Sequence, residues 1–219
     1  MDNVEQSIEK IITLLNKIPS SYQEVSQRTP YHNMAATLTD AVLQAGMNYR
    51  NVVYPRVCNI LDNYAHYKTT CDFIILFQTY PIEKIIQWKN KTKQNTICKL
   101  TWFLYGCGVN NEEDLANWLM FEENQNELLK IKGIGFKTVD YLTLLSGQQA
   151  IPIDRHMFQF LEMSNIITSN YKEASLLLKK TAQHLNIGES TLDRVIWDFM
   201  SSKNDTRQIT LEDVFGKFV

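Results

Sequence analysis

Residues Leu128–Leu161 read "LLKIKGIGFKTVDYLTLLSGQQAIPIDRHMFQFL". Gly133 and Gly135 stand one residue apart, Lys137 follows two positions later, and Asp154 and His156 close the stretch in "IPIDRH". The pattern predicts a helix ending at Ile131, a turn through the glycines, and a new helix from Phe136 that stops at Gly147. Glycine permits positive φ and close approach of another backbone. It also leaves N–H groups of the turn and of the new helix's first turn pointing outward, where they suit a phosphate oxygen. Such groups would position a nucleic acid without reading its bases. Taken alone, Gly-x-Gly is better read as a tight turn between two packed helices.

Outward from this stretch the pattern is helix after helix. Val4, Ile8, Ile11, Ile12, Leu15 and Ile18 keep helical spacing at the N-terminus. "NMAATLTDAVLQAG" predicts a second helix stopped by Gly46. Pro55 and Pro81 sit where first helical turns accept proline. "KQNTICKLTWFLYG" ends on Gly106, and Asn111 caps "NEEDLANWLM". Beyond the opening stretch, Asp154 is a natural N-cap. Asn170 with Glu173 has capping-box spacing, Ser190 and Asp193 repeat it, and "TLEDVFGKF" reads as a short last turn or frayed tail. No alternating strand and no repeat is visible, and with 8 Gly and 5 Pro the chain has few turn residues for an all-β fold. The expected class is all-α, with about ten helices.

Composition narrows the function. A chain of 219 residues, 44% hydrophobic and 21% charged, is an ordinary globular protein with a core. No apolar run is as long as a membrane span, and "MDNVEQSIEK" is unlike a secretory signal, so a cytoplasmic protein without membrane contact is expected. Cys58, Cys71, Cys98 and Cys107 are separated by 12, 26 and 8 residues, none close enough for a metal cluster, and buried free thiols are expected. The net charge of −2 does not advertise nucleic-acid binding, but the charges are segregated. Lys84, Lys89, Lys91, Lys93 and Lys99 lie beside a single acid, Glu83, whereas the stretch from Glu112 to Glu127 carries six acids and no base. Such blocks are usually solvated faces, yet they permit one basic and one acidic side.

The hairpin and "IPIDRH" together resemble the helix-hairpin-helix DNA glycosylases of the endonuclease III superfamily. The likeness rests on Gly133, Ile134, Gly135, Lys137 and Thr138, then on Asp154 and His156. Upstream, "LTDAVLQAGMNYRNV" is similar to the helix whose terminal glutamine enters the space left by a flipped base, and Gln44 matches it. The resemblance runs from about Leu38 to Leu161 and fades at both ends. It departs from the family in two places. Lys132 replaces the hairpin proline, adding a cation, and the C-terminal four-cysteine pattern is absent, which implies a member without an iron-sulfur cluster.

The resemblance implies a two-lobed all-α fold with the active-site cleft between lobes, residues 26–150 forming one lobe and residues 1–25 with 151–219 the other. It implies a monomer acting on double-stranded DNA that holds a damaged base or an abasic site. Lys132, Gly133, Gly135 and Thr138 would grip the backbone, and K⁺ or Na⁺ could sit on hairpin carbonyls near Gly133 and Gly135; no other cofactor is implied. Gln44 would fill the gap, or cap its own loop as an ordinary amide. Asp154 would stabilise the positive charge that grows on the sugar, a role compatible with N-capping. Lys137 would attack C1′ and permit strand cleavage, making the chain a bifunctional glycosylase and AP lyase of base-excision repair. Its place in a first helical turn and partial burial both favour the neutral amine. His156 is a phosphate or sugar contact or a core histidine, and Trp102, Tyr105, Trp118 and Tyr141 read mainly as core. The alternatives are a monofunctional, water-using glycosylase with Lys137 on phosphate, a non-catalytic DNA-binding protein, and a helical scaffold with a coincidental hairpin.

Overall fold

The computed structural model describes residues 2–18 and 29–212. Among them are twelve α-helices, a π-helical turn and no strand. The chain divides into two compact units, one of residues 27–150 and one joining Met1–Ser26 to Ile151–Val219. The expected boundary at residue 26 lies outside the described residues.

The first unit is built around α2 (Met34–Leu43), every residue of which is buried. "MAATLTDAVL" is apolar nearly all round, which suits a helix surrounded on every side. Against it pack α3 (Tyr54–Asn63), α4 (Thr70–Thr79), α6 (Lys91–Gly106) and α9 (Phe136–Leu145). A π-helical turn, Tyr49–Val53, leads into α3, and α5 (Ile82–Ile85) is a single turn. α7 (Glu112–Leu119) and α8 (Glu122–Leu129) flank α9. Leu38, Val42, Phe73, Leu76, Ile97, Leu100, Leu128 and Leu142 fill the core.

The second unit packs α1 (Asp2–Leu15) on α11 (Tyr171–His184), with α10 (Arg155–Met163) and α11 both on α12 (Glu189–Glu212). Ile11, Leu15, Ile153, Phe160, Leu178 and Ile196 form its core.

Several expectations change. α4 was not expected. Its unbroken apolar run "FIILF" hides the helical period, although Thr69 and Asp72 form a reciprocal capping box. Ser190 lies inside α12, which starts at Glu189 and continues through "TL" to Glu212, where a break was expected; Asp213–Val219 lie outside the described residues. Asn170 caps α11, but its own N–H is taken by Thr168 Oγ1, whose hydroxyl donates to Glu173, so the box closes through a third residue. The thiols are free, but three are half-buried and Cys107 is exposed. Trp102 and Tyr105 are 46% and 43% exposed rather than core. The acidic stretch is not wholly solvated either. Glu112 is buried and accepts from the Asn33 N–H and the Thr37 hydroxyl, each at 2.8 Å. No described helix is long and apolar enough to cross a membrane.

Candidate functional site

In the first unit the hairpin joins α8 to α9. The Ile134 N–H donates to the Ile131 carbonyl at 3.0 Å, closing a turn, and the Ile134 side chain is buried as its anchor. Gly133 sits at φ +97°, where an L side chain is strained. A Cβ there would also come within 2.5 Å of Thr96 Oγ1. The close approach at Gly133 is therefore made by the protein itself. Thr96, buried on α6, lies 3.1 Å from the Lys132 carbonyl and 3.0 Å from its own helix's Thr92 carbonyl, sharing one proton between them.

Gly135 differs. Its φ of −124° is open to any residue, and a Cβ would meet nothing within 4 Å. It is the N-cap of α9 and offers no side chain to the helix N–H groups. No described hydrogen bond engages the N–H of Gly133 or Gly135. Lys132 is exposed beside them, and Thr138 is buried beneath the first turn. Lys137, half-buried in that turn, holds its ammonium over the Tyr141 ring, 5.5 Å from the centroid. The ring face favours the charged amine, whereas the helix dipole opposes it.

At the C-terminal end of α2, Gln44 is 9% exposed and its amide donates to Asp40 at 2.5 Å. Asp40 is wholly buried and also accepts from the Tyr31 hydroxyl at 2.7 Å. Lys93 closes the same end of α2, donating to the Val42 carbonyl at 2.6 Å and the Ala45 carbonyl at 3.1 Å. Burial pushes its pKa below the ordinary lysine value. Thr96, Lys93 and Asp40 were all missed in the sequence. Lys93 looked like one more surface lysine, and nothing in "TLTDAVL" marks its acid as buried.

In the second unit Asp154 caps α10. Its Oδ1 accepts from the N–H groups of His156 at 2.8 Å and Met157 at 3.2 Å. The preceding segment is pinned by the Tyr171 hydroxyl, which accepts from the Ile153 N–H at 3.0 Å. His156 is buried edge-to-face against Trp197, with no hydrogen-bond partner at Nδ1. The structure thus gathers Lys132, Gly133, Gly135, Lys137 and Thr138 at one hairpin, with Gln44 at the end of α2 in the same unit. Asp154 and His156 stand together at the start of α10. Among the described residues, no three His, Cys, Asp or Glu side chains group to hold a metal ion.

Residues 9–201 match the family described as a domain of unknown function, DUF8548. The chain belongs to this family. No curated protein matches it in sequence. Among solved structures, this DUF8548 chain is similar to the 8-oxoguanine glycosylase/lyase of Methanocaldococcus jannaschii in complex with a 15mer DNA containing 8-oxoguanine. The TM-score is 0.55 and the identity 19%, over 92% of this chain and 90% of that one. It is also similar to the 8-oxoguanine DNA glycosylase of Thermotoga maritima, with a TM-score of 0.51 and 15% identity over 90% of this chain and 93% of that one. The all-helical fold of the DUF8548 chain is the fold of these glycosylases.

Proposed function

We propose that the chain is a base-excision-repair DNA glycosylase with AP lyase activity, acting on double-stranded DNA that carries a damaged base. The observation that carries this reading is the start of α9. A rigid glycine turn leads into a helix with no side-chain cap, and a lysine stands in its first turn. The likeness to two 8-oxoguanine enzymes supports it and makes 8-oxoguanine the first lesion to try.

A base inside the duplex must be extruded before its glycosidic bond can be reached. The N–H groups of Gly133 and Gly135 and the cation of Lys132 would hold the backbone meanwhile. Gln44 would fill the gap only after releasing Asp40. The neutral amine of Lys137 attacks C1′, the glycosidic bond breaks, and its electron pair leaves with the base, which takes up a proton. Ring opening gives the Schiff base, water takes a proton from C2′, and the C3′–O bond breaks as the phosphate leaves with its electron pair. Asp154 is assigned the carboxylate that stabilises charge on the sugar or accepts the amine's proton. The burial of His156 supports packing rather than DNA contact. The Lys132 and Gly135 carbonyls are engaged by Thr96 and by α9, whereas no described hydrogen bond reaches those of Gly133 and Ile134. These two oxygens would be the ones available to a K⁺ or Na⁺, which would stiffen the turn.

Borohydride reduction of the protein with duplexes, each bearing one lesion, tests the chemistry. A covalent adduct that disappears in Lys137→Gln is expected, and salt-sensitive binding with no adduct on any duplex would overturn the lyase mechanism. The cation–π contact with Tyr141 favours a second reading, in which Lys137 stays charged on phosphate and water is the nucleophile. Base release that persists in Lys137→Gln would select it.

A further inference from the structure

α6, "KTKQNTICKLTWFLYG", holds three lysines and no acid. Two of the three lie in its first turn, where the helix dipole disfavours a cation. Lys93 is used internally, on the end of α2, and Lys91 pairs with Glu83 at 3.4 Å. Beside the hairpin, Lys130 pairs with Glu127. Lys99 and Lys132 are exposed and have no ion-pair partner among the described residues.

These two lysines flank one joint. Thr96 touches Gly133 and bonds the Lys132 carbonyl, which fixes α6 against the hairpin. Lys99 is three residues beyond Thr96, on the same helical face and about 4.5 Å further along the axis. Successive phosphates of one DNA strand advance by about 3.4 Å along the duplex axis and lie further apart through space because the strand also turns, a gap that a long, flexible lysine stem can span.

We propose that the phosphate-binding surface does not end at the hairpin but continues onto α6, where Lys99 engages the phosphate next to the one held at Gly133, Gly135 and Lys132. This rests on the DNA reading above. It assigns α6 a role in binding that neither the glycine motif nor the candidate catalytic residues require.

The test is the affinity of the full chain for an undamaged duplex over a range of salt concentrations. Variants are Lys99→Ala, Lys132→Ala, the double variant, and Lys68→Ala as control. The Lys68 carbonyl accepts from the Met34 N–H, at the end of α2 opposite to Lys93. Removing one lysine–phosphate pair should flatten the slope of log K against log[salt] by about 0.9, and the double variant by about 1.8, with Lys68→Ala unchanged. Lys99→Glu should weaken binding further than Lys99→Ala, which separates charge from packing. A wild-type slope in Lys99→Ala beside a flattened slope in Lys132→Ala would overturn this inference and leave the hairpin reading standing. A wild-type chain without salt-sensitive affinity for any duplex would overturn both.

Discussion

α9 and α10 both begin beside a candidate catalytic residue, and their first turns are solved in opposite ways. α10 carries its own anion, since Asp154 Oδ1 takes two of its N–H groups. α9 starts on Gly135 and has no such side chain. The first N–H groups of a helix have no partner one turn back along the chain and call for an acceptor. A helix that meets this demand internally has spent its anion site on stability. α9 has no side-chain cap, and the Gly133 and Gly135 N–H groups just ahead of it engage no described hydrogen bond, which leaves a place for a ligand. On the proposed function, the same device, a helix dipole, would serve folding in one unit and recognition in the other.

The contrast can be broken at its strongest point first. Gly133→Ala forces a side chain into positive φ and onto Thr96, and should cost about 2–3 kcal/mol in thermal or urea unfolding. A smaller loss would mean that the turn relaxes easily and is not held by α6. Asp154→Ala removes the α10 cap and should cost about 1 kcal/mol, together with base release. Asp154→Asn sharpens the distinction. Asparagine caps as well as aspartate, so stability should stay within about 0.5 kcal/mol while base release is lost. Retained release would make Asp154 a cap and nothing more. Gly135→Asp gives α9 the cap that it lacks, in a backbone region open to any residue. It should gain about 0.3 kcal/mol in stability yet lose DNA affinity about tenfold, read by anisotropy. Equal or better binding would deny that the open helix start holds phosphate.

The smallest effect concerns a third helix start. Glu189 opens α12, and burial raises its pKa above the ordinary carboxylate value despite Lys179 at 3.7 Å. The folded state therefore holds this proton more tightly than the unfolded chain does. Its contribution is present below the ordinary carboxylate pKa and lost as pH rises through the raised one. Glu189→Gln should thus be the more stable protein at neutral pH, with the gap closing in acid melts.

The legible helices keep their apolar residues to one face or are bounded by a cap, proline or glycine, as α2 is by Gly46, and the caps that were legible need only neighbours in sequence. Asn111 and Asp154 both cap as their positions predict. α4 was illegible because its outer face carries an exposed Ile75 in the middle of an apolar run, which erases the polar stripe and with it the period. Within the candidate site, the glycine turn could be read from spacing, whereas the roles of Lys137 and Asp154 came only from the resemblance to the glycosylases. Thr96 could not, because its bond to Lys132 spans 36 residues and depends on α6 docking beside the hairpin. Lys93 likewise reaches 51 residues to Val42. Asp40 and Gln44 are a helical turn apart and could have been paired, but burial of that acid is a property of the packed core around α2.

Thr96 also limits how far the motif can travel. A peptide spanning Leu128–Leu145 would contain every residue by which the hairpin is recognised, and the Ile134–Ile131 turn bond, but not the Thr96 brace against Gly133. Excised, or grafted onto a scaffold without a hydroxyl in that position, it would sample many turn shapes. Portability of this motif depends on carrying its brace along, so the smallest transferable unit includes α6.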